Sequence, residues 1–229
     1  LGYFGFDNRN NYAKFDGFVV LHVSDTMVYT ASALSFMFEN LAKPIIFTGL
    51  QLPIGDLRTD TKENLITVIQ ISSLRENGLP VVQELCLFFE YKFYRGNRTT
   101  KVNAEHFQAF NSPNYPCLVK SGVHLKWNAQ LLLPSVSNNE LLKVQYTLDT
   151  NVVIIKLFPG ISQTVVTAIF AIPTLRGGAL ETYGSGNAIT VDWFVQLMQE
   201  VIQKGMYVIN VTQCSVGSVQ MGHCEISIK

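Results

Sequence analysis

Charge is scarce in this chain: 15% of its 229 residues are Asp, Glu, Lys or Arg, and seventeen bases balance seventeen acids. A protein without a net field does not gather nucleic acid or an anionic membrane by charge, so neither is expected as a partner. Long apolar runs are lacking too. The longest, around Val165 to Ile172, falls well short of the roughly 20 residues that a membrane-spanning helix needs. Leu1 to Asn10 show no basic start, apolar centre or small-residue cleavage site, so no secretory signal is expected there. The four cysteines, Cys86, Cys117, Cys214 and Cys224, have no CxxC spacing and are too few to staple a chain of this length. Reduced thiols in a cytoplasmic protein are the expectation. Two Asn-x-Thr sequons, at Asn97 and Asn210, would matter only in a secreted protein and are read as chance matches.

What the chain does have is apolar content, 48% of its residues, which suits a globular protein built on a buried sheet. A small neutral or zwitterionic ligand fits the charge balance. Phe18-Val19-Val20-Leu21 reads as a buried strand that ends in a polar cluster, His22 to Thr26. Ala31, Leu34, Phe38 and Leu41 predict a helix over 30–41, and Pro44 closes it before the strand Ile45-Ile46-Phe47. Together these make a βαβ unit. A second helix starts near Asp60, whose carboxylate is placed to cap it with Glu63, and it runs through Leu65, Ile66, Val68 and Ile69. Glu84 to Phe89 supplies the next strand.

The rhythm weakens between Asn103 and Leu148, and a domain boundary is placed in the polar segment 135–140. Beyond it come the strand Val152-Val153-Ile154-Ile155, a sharp turn at Phe158-Pro159-Gly160, a helix after Thr190 and a strand over 207–211. The expected fold is therefore α/β: a mostly parallel sheet with flanking helices, then a smaller second α/β domain. The boundaries are 1–135 and 141–229.

In open parallel sheets ligands gather at the carboxyl ends of strands, which draws attention to His22-Val23-Ser24-Asp25-Thr26 and to Arg95-Gly96-Asn97-Arg98-Thr99-Thr100-Lys101. Read singly, the first is an ordinary capping segment, His22 a satisfied strand-end residue, and the second a tight turn with a solvated lysine. Read together, a hydroxyl, a carboxylate and a lysine from different strand ends are the parts of hydroxyl-based amide hydrolysis. Lysine and carboxylate would relay the proton, and the hydroxyl would attack or position water. Backbone amides in the strand-end turns could stabilise the oxyanion.

Phe15-Asp16-Gly17-Phe18-Val19-Val20-Leu21-His22 followed by Ser24-Asp25-Thr26-Met27 resembles the segment of the type I L-asparaginase family that usually reads His-Gly-Thr-Asp-Thr-Met. Further matches, in the family's order, are Thr48-Gly49-x-Gln51-x-Pro53-Ile54, Glu63-Asn64-Leu65, Arg95 to Lys101, Lys156-Leu157-Phe158-Pro159-Gly160, Tyr183-Gly184-x-Gly186-Asn187-Ala188 and Asn210-Val211-Thr212-Gln213-Cys214. They cover the chain from Asn11 to Gly222. The resemblance implies a two-domain α/β amidohydrolase, a homodimer or homotetramer, acting on L-asparagine or L-glutamine without a cofactor or metal. It puts Ser24 in the place of the second catalytic threonine, Asp25 in that of the carboxylate serving substrate clamp and relay, and Lys101 in that of the relay lysine. Thr100 and Cys214 fall where one bacterial branch binds asparagine allosterically; that branch has arginine at the position of Glu181.

Departures from the family pattern set further expectations. The Thr-Gly-Gly-Thr segment with the primary nucleophile and the Asp-Ser pair that grips the substrate are not found in these residues, so impaired turnover in this chain is expected. Val23 replaces a glycine and would be strained if the position required φ > 0. Leu50 stands for a small residue, Thr61 for glycine and Ile189 for proline. Two other readings remain open at this point: the asparaginase-like subunit of a tRNA-dependent amidotransferase, and a non-catalytic module for amino-acid binding or assembly.

Overall fold

Short runs of β-branched and aromatic residues become strands where a neighbour can take up their backbone bonds. The computed structural model, which describes residues 12–49, 55, 57, 59–136 and 140–220, arranges such runs in two compact units, Leu1–Thr147 and Leu148–Lys229. In the first unit β1 (Phe18–Leu21) leads into helix α1 (Ser24–Met37), then β2 (Phe38–Glu39) and β3 (Ile45–Thr48). Helix α2 (Thr61–Ser73) follows, then the hairpin of β4 (Arg75–Glu76) and β5 (Leu79–Pro80), and the hairpin of β6 (Leu85–Phe89) and β7 (Lys92–Arg95). Five short strands complete the unit: β8 (Thr100–Lys101), β9 (Phe110–Asn111), β10 (Val119–Lys120), β11 (Lys126–Trp127) and β12 (Lys143–Val144).

The main sheet runs in the order β1-β3-β6-β7-β10-β11. Its first three strands are parallel, as a βαβ reading requires, and the rest are antiparallel, so the α/β sheet is mixed. The change of direction comes where β6 turns straight back into β7 through two residues, a connection open only to antiparallel neighbours. Strand alternation splits the core into two layers. Ile45, Phe47, Leu85, Leu87 and Phe89 pack with Met27, Ala31 and Leu34 of α1. Ile46, Cys86 and Phe88 pack on the opposite face with Val68 and Ile71 of α2.

Two helices depart from their predicted form. Helix α1 begins at Ser24, six residues earlier than the sequence pattern suggests, because Met27 continues the buried stripe of Ala31 and Leu34 toward the N-terminus. It stops at Met37, where Phe38 enters β2 and pairs with Val144 of β12. In α2 the buried positions are Thr61, Asn64, Val68 and Ile71, while Ile66 and Ile69 face outward. Asp60 stands at the N-cap, but its carboxylate accepts from the Asn64 amide at 3.0 Å. Thr59 Oγ1 accepts from the Thr61 N–H at 3.2 Å, and Glu63 accepts from the Tyr91 hydroxyl at 2.7 Å.

The second unit contains β13 (Val152–Lys156), helix α3 (Gln163–Phe170), β14 (Gly177–Thr182), helix α4 (Asp192–Gln203) and β15 (Tyr207–Thr212). The three strands form a parallel sheet in the order β13-β14-β15. Ile155 and Leu180 meet Val166 and Phe170 of α3 and Phe194, Met198 and Val201 of α4. Pro159 and Gly160 make the expected turn: Ile161 N–H donates to Phe158 O at 3.1 Å with Gly160 at φ 86°. Asn97 Oδ1 is buried, and Asn210 accepts from Thr182 Oγ1 at 2.6 Å and donates to Gly186 O at 3.1 Å. Among the described residues no helix is long and apolar enough to cross a membrane.

Candidate active site

The carboxyl ends of β1 and β3 and the start of α1 form one corner of the first unit. β1 ends at Leu21, His22 and Val23 turn the chain, and Ser24 and Asp25 occupy the first turn of α1. Val23 is the N-cap, at φ −63° and ψ 140°, ordinary extended backbone for a β-branched residue. The strain expected of valine in a glycine position is therefore absent. Nor do the polar residues here act as a cap, since the N-cap side chain is apolar and makes no capping bond.

Lys101 arrives from β8 by a short 3-10 turn, Gly96–Arg98. Gly96 lies so close to the sheet that an added Cβ would stand 2.7 Å from Leu85 Cδ2 and 3.3 Å from Ala31 Cβ of α1. Thr99 Oγ1 donates back to Arg95 O at 2.7 Å and closes the turn. Arg95 is itself anchored by Glu84, with Nε donating to Oε2 at 2.5 Å. This packing carries the lysine to α1. Its Nζ donates to Ser24 Oγ at 3.0 Å and to Asp25 Oδ1 at 2.6 Å.

The lysine side chain is mostly buried, at 16% exposed, whereas that of Asp25 is 87% exposed. The hydrogen bond from Lys101, helped by its charge, holds the Asp25 carboxyl below its usual range. Chemically this is an ammonium that bridges a hydroxyl oxygen and a carboxylate. It keeps one Ser24 lone pair occupied, leaves that hydroxyl's proton free to be donated, and offers a route for protons between the three groups.

Of the residues singled out in the sequence, Ser24, Asp25 and Lys101 thus meet within hydrogen-bonding distance. Thr100 precedes Lys101 on β8, exposed and paired in register with Asn111. Cys214 belongs to the second unit, in the bend after β15; its thiol is free and exposed, and its N–H donates to Thr212 Oγ1 at 3.0 Å. Glu181, on β14, lies 4.0 Å from Lys156. Thr61 fits its helix start, buried and bonded to the Thr59 hydroxyl at 2.8 Å. Ile189 packs on the core of its unit, while Leu50, Gln51, Pro53, Ile54 and Cys224 lie outside the described residues.

Three residues of this corner were not assigned to it from the sequence, although Gly49 and Asn64 fall in motifs that carry the family resemblance. Thr30 is buried and bonded to the His22 ring. Gly49 stands where a Cβ would meet His22 O at 2.4 Å. Asn64 donates to Gly49 O at 3.2 Å and so holds the end of β3. The glycine directly after an apolar strand and the motif around Asn64 were the signals that sequence reasoning could have followed.

A family model described as Asparaginase, N-terminal matches residues 8–133, and one described as Glutaminase/Asparaginase C-terminal domain matches residues 151–228. L-asparaginase 1 of Escherichia coli (strain K12) is 41% identical over 217 residues, which cover 94% of this chain and 62% of that protein. The 60 kDa lysophospholipase of Mus musculus is 40% identical over 211 residues, 92% of this chain and 36% of that protein. Among solved structures, L-asparaginase I from Vibrio cholerae O1 biovar eltor str. N16961 superposes with a TM-score of 0.85 at 39% identity, over 94% of this chain and 64% of that one. The chain spans less than two thirds of the length of each of these relatives.

Proposed function

The chain belongs to the asparaginase family, and from that premise we propose that Ser24, Asp25 and Lys101 form part of a site that hydrolyses L-asparagine to L-aspartate and ammonia. One observation carries the reading: a single lysine Nζ bonds both the Ser24 hydroxyl, at 3.0 Å, and the Asp25 carboxylate, at 2.6 Å. In this reading a hydroxyl or water oxygen adds to the side-chain amide carbon and gives up its proton, which Lys101 passes to the departing nitrogen as the C–N bond breaks and ammonia leaves; where the hydroxyl has attacked, water then hydrolyses the resulting ester to aspartate and restores the hydroxyl. Ser24 supplies the hydroxyl that attacks or orients water, and Asp25 keeps the ammonium form of Lys101 in place and faces the substrate from its exposed side. The first-turn backbone N–H groups of α1, which have no partner within the helix, suit a developing oxyanion. No cofactor enters the scheme, and the assembly implied by the resemblance, a homodimer or homotetramer, belongs to the same proposal.

The test is ammonia release from L-asparagine and L-glutamine by the full-length protein, with a lysophospholipid as a third substrate because the mouse relative bears that activity in its name. Release of ammonia from asparagine is the expected result, slower than the ordinary enzyme rate of about 10 per second because the departures from the family pattern impair turnover. Fatty-acid release without ammonia would move the reading to an ester substrate at the same site, and no release from any of the three would end it. Sedimentation of the active sample measures the assembly.

A further inference from the structure

Helix α1 leaves the sheet with a valine at its N-cap, which has no side-chain group to set the geometry of the first turn. His22 fills that corner. Its backbone N–H donates to Thr48 O at 2.9 Å, tying it to the end of β3, and its ring lies against Phe47 with centroids 5.8 Å apart. Ring atom Nδ1 is 2.8 Å from the Val23 carbonyl oxygen, and Nε2 is 3.1 Å from Thr30 Oγ1. A carbonyl can only accept, so Nδ1 carries a proton. In the neutral ring Nε2 is then the acceptor, and the buried Thr30 hydroxyl donates to it. One imidazole therefore joins the carbonyl that precedes Ser24 to a buried hydroxyl further along the same helix. Gly49 closes the corner from the other side, since any side chain there would strike His22 O at 2.4 Å and Met27 Cε at 2.6 Å.

We propose that His22, held as the Nδ1-protonated imidazole, is a positioning residue: by bridging the Val23 carbonyl and the Thr30 hydroxyl it sets the angle at which α1 presents Ser24 and Asp25 to Lys101. The inference rests on the hydrolytic reading of that site. It acts through the peptide of Val23, the residue immediately before Ser24, and a rotation of that peptide moves the hydroxyl relative to Lys101 Nζ. Displacements on the order of 1 Å at a reacting group cost about 100-fold in rate.

Three measurements on the full-length protein test it. Kinetics of His22→Leu, which keeps apolar volume against Phe47 but no hydrogen bond, should show kcat reduced about 10- to 100-fold with KM changed less than about twofold. His22→Asn, whose amide nitrogen reaches the Nδ1 position, should restore most of that loss. Imidazole 15N spectra of the unaltered protein should show the proton on Nδ1 and a bare Nε2; a proton on Nε2 in the neutral ring overturns the proposal, as does wild-type kcat in His22→Leu. The third measurement does not depend on turnover. In His22→Leu the 13C titration of the Asp25 carboxyl should move up toward its ordinary range as the Lys101 contact loosens, and an unmoved titration counts against the proposal. If no variant releases ammonia but the 15N and 13C results come out as expected, positioning stands and the hydrolytic reading falls. If the unaltered protein hydrolyses asparagine and His22→Leu does so equally well, the reverse holds.

Discussion

A lysine that must serve two neighbours at once has no conservative substitute. Lys101 Nζ reaches Ser24 Oγ and Asp25 Oδ1 from a stem that is mostly buried, so Lys101→Met preserves the packing of the stem and removes both bonds. The expected outcome is loss of asparagine hydrolysis with little change in thermal midpoint, because Asp25 remains hydrated when its partner goes. Activity assay and thermal melt on the same sample check this. The pH dependence has a definite sign. Asp25 titrates below its ordinary value of 3.8 because Lys101 donates to it. Such a group contributes stability that is present above the unfolded pKa and lost as pH falls through the lower folded one, here below 3.8. In Lys101→Met the Asp25 titration, followed by 13C NMR, should rise toward 3.8. Residue types at this site were legible in the sequence. Their meeting was expected from the family resemblance and from strand-end chemistry, not from local pattern, since Asp25 and Lys101 stand 76 positions apart.

The same turn occurs in two hairpins with opposite chemistry. Between β4 and β5, Asn77 and Gly78 sit at φ 51° and 82°, the pair of residues that a two-residue turn with both φ positive favours. Between β6 and β7, Glu90 and Tyr91 hold the same region at φ 44° and 63°, where side chains with a Cβ are strained. Replacing them together, Glu90→Asn with Tyr91→Gly, should stabilise the protein by about 1 kcal/mol, the relief of strain being offset in part by loss of the exposed Tyr91–Glu63 bond. A shift of the urea midpoint at constant slope measures it. β14 shows why one element escaped the sequence reading. Its Gly177 and Gly178 look like a loop, yet a Cβ on Gly178 would meet the Phe170 ring at 3.1 Å, so the glycine serves close packing of α3 on the sheet. Helix α4, by contrast, follows from the helical spacing of Phe194, Leu197, Met198, Val201 and Ile202, of which Phe194, Met198 and Val201 are buried while Ile202 is exposed.

In the molecule as a whole the two sheets differ in how they are covered. The main sheet of the first unit has helices and core on both faces. In the second unit α3 and α4 cover one face, and Val152, Ile154, Tyr207 and Ile209 on the other are between 60% and 75% exposed. Parallel sheets ordinarily bury both faces, and an apolar patch of this kind takes up apolar dyes. Residues 1–229 prepared alone should therefore bind an anilinonaphthalene dye, and Ile154→Ser with Ile209→Ser should remove most of the fluorescence at a cost under about 1 kcal/mol of stability. Undiminished dye binding in that variant would place the patch elsewhere.

Alternating and continuous apolar runs determined, from sequence alone, that the chain forms an α/β fold, where the strands β1, β3, β6, β13 and β15 lie and which residue types sit at the strand ends. That information is local, because side-chain periodicity depends only on backbone geometry a few residues long. The strand order of the main sheet, the end of α1 and the corner formed by His22, Thr30 and Gly49 were decided by tertiary structure. Each depends on which distant segment lies alongside: β3 beside β1, the Gly96 turn against Ala31, Val144 opposite Phe38. The meeting of Lys101 with Ser24 and Asp25 is of the same kind, for only the packing of one helix on a turn from far along the chain brings an ammonium to a hydroxyl and a carboxylate that follow one another in sequence.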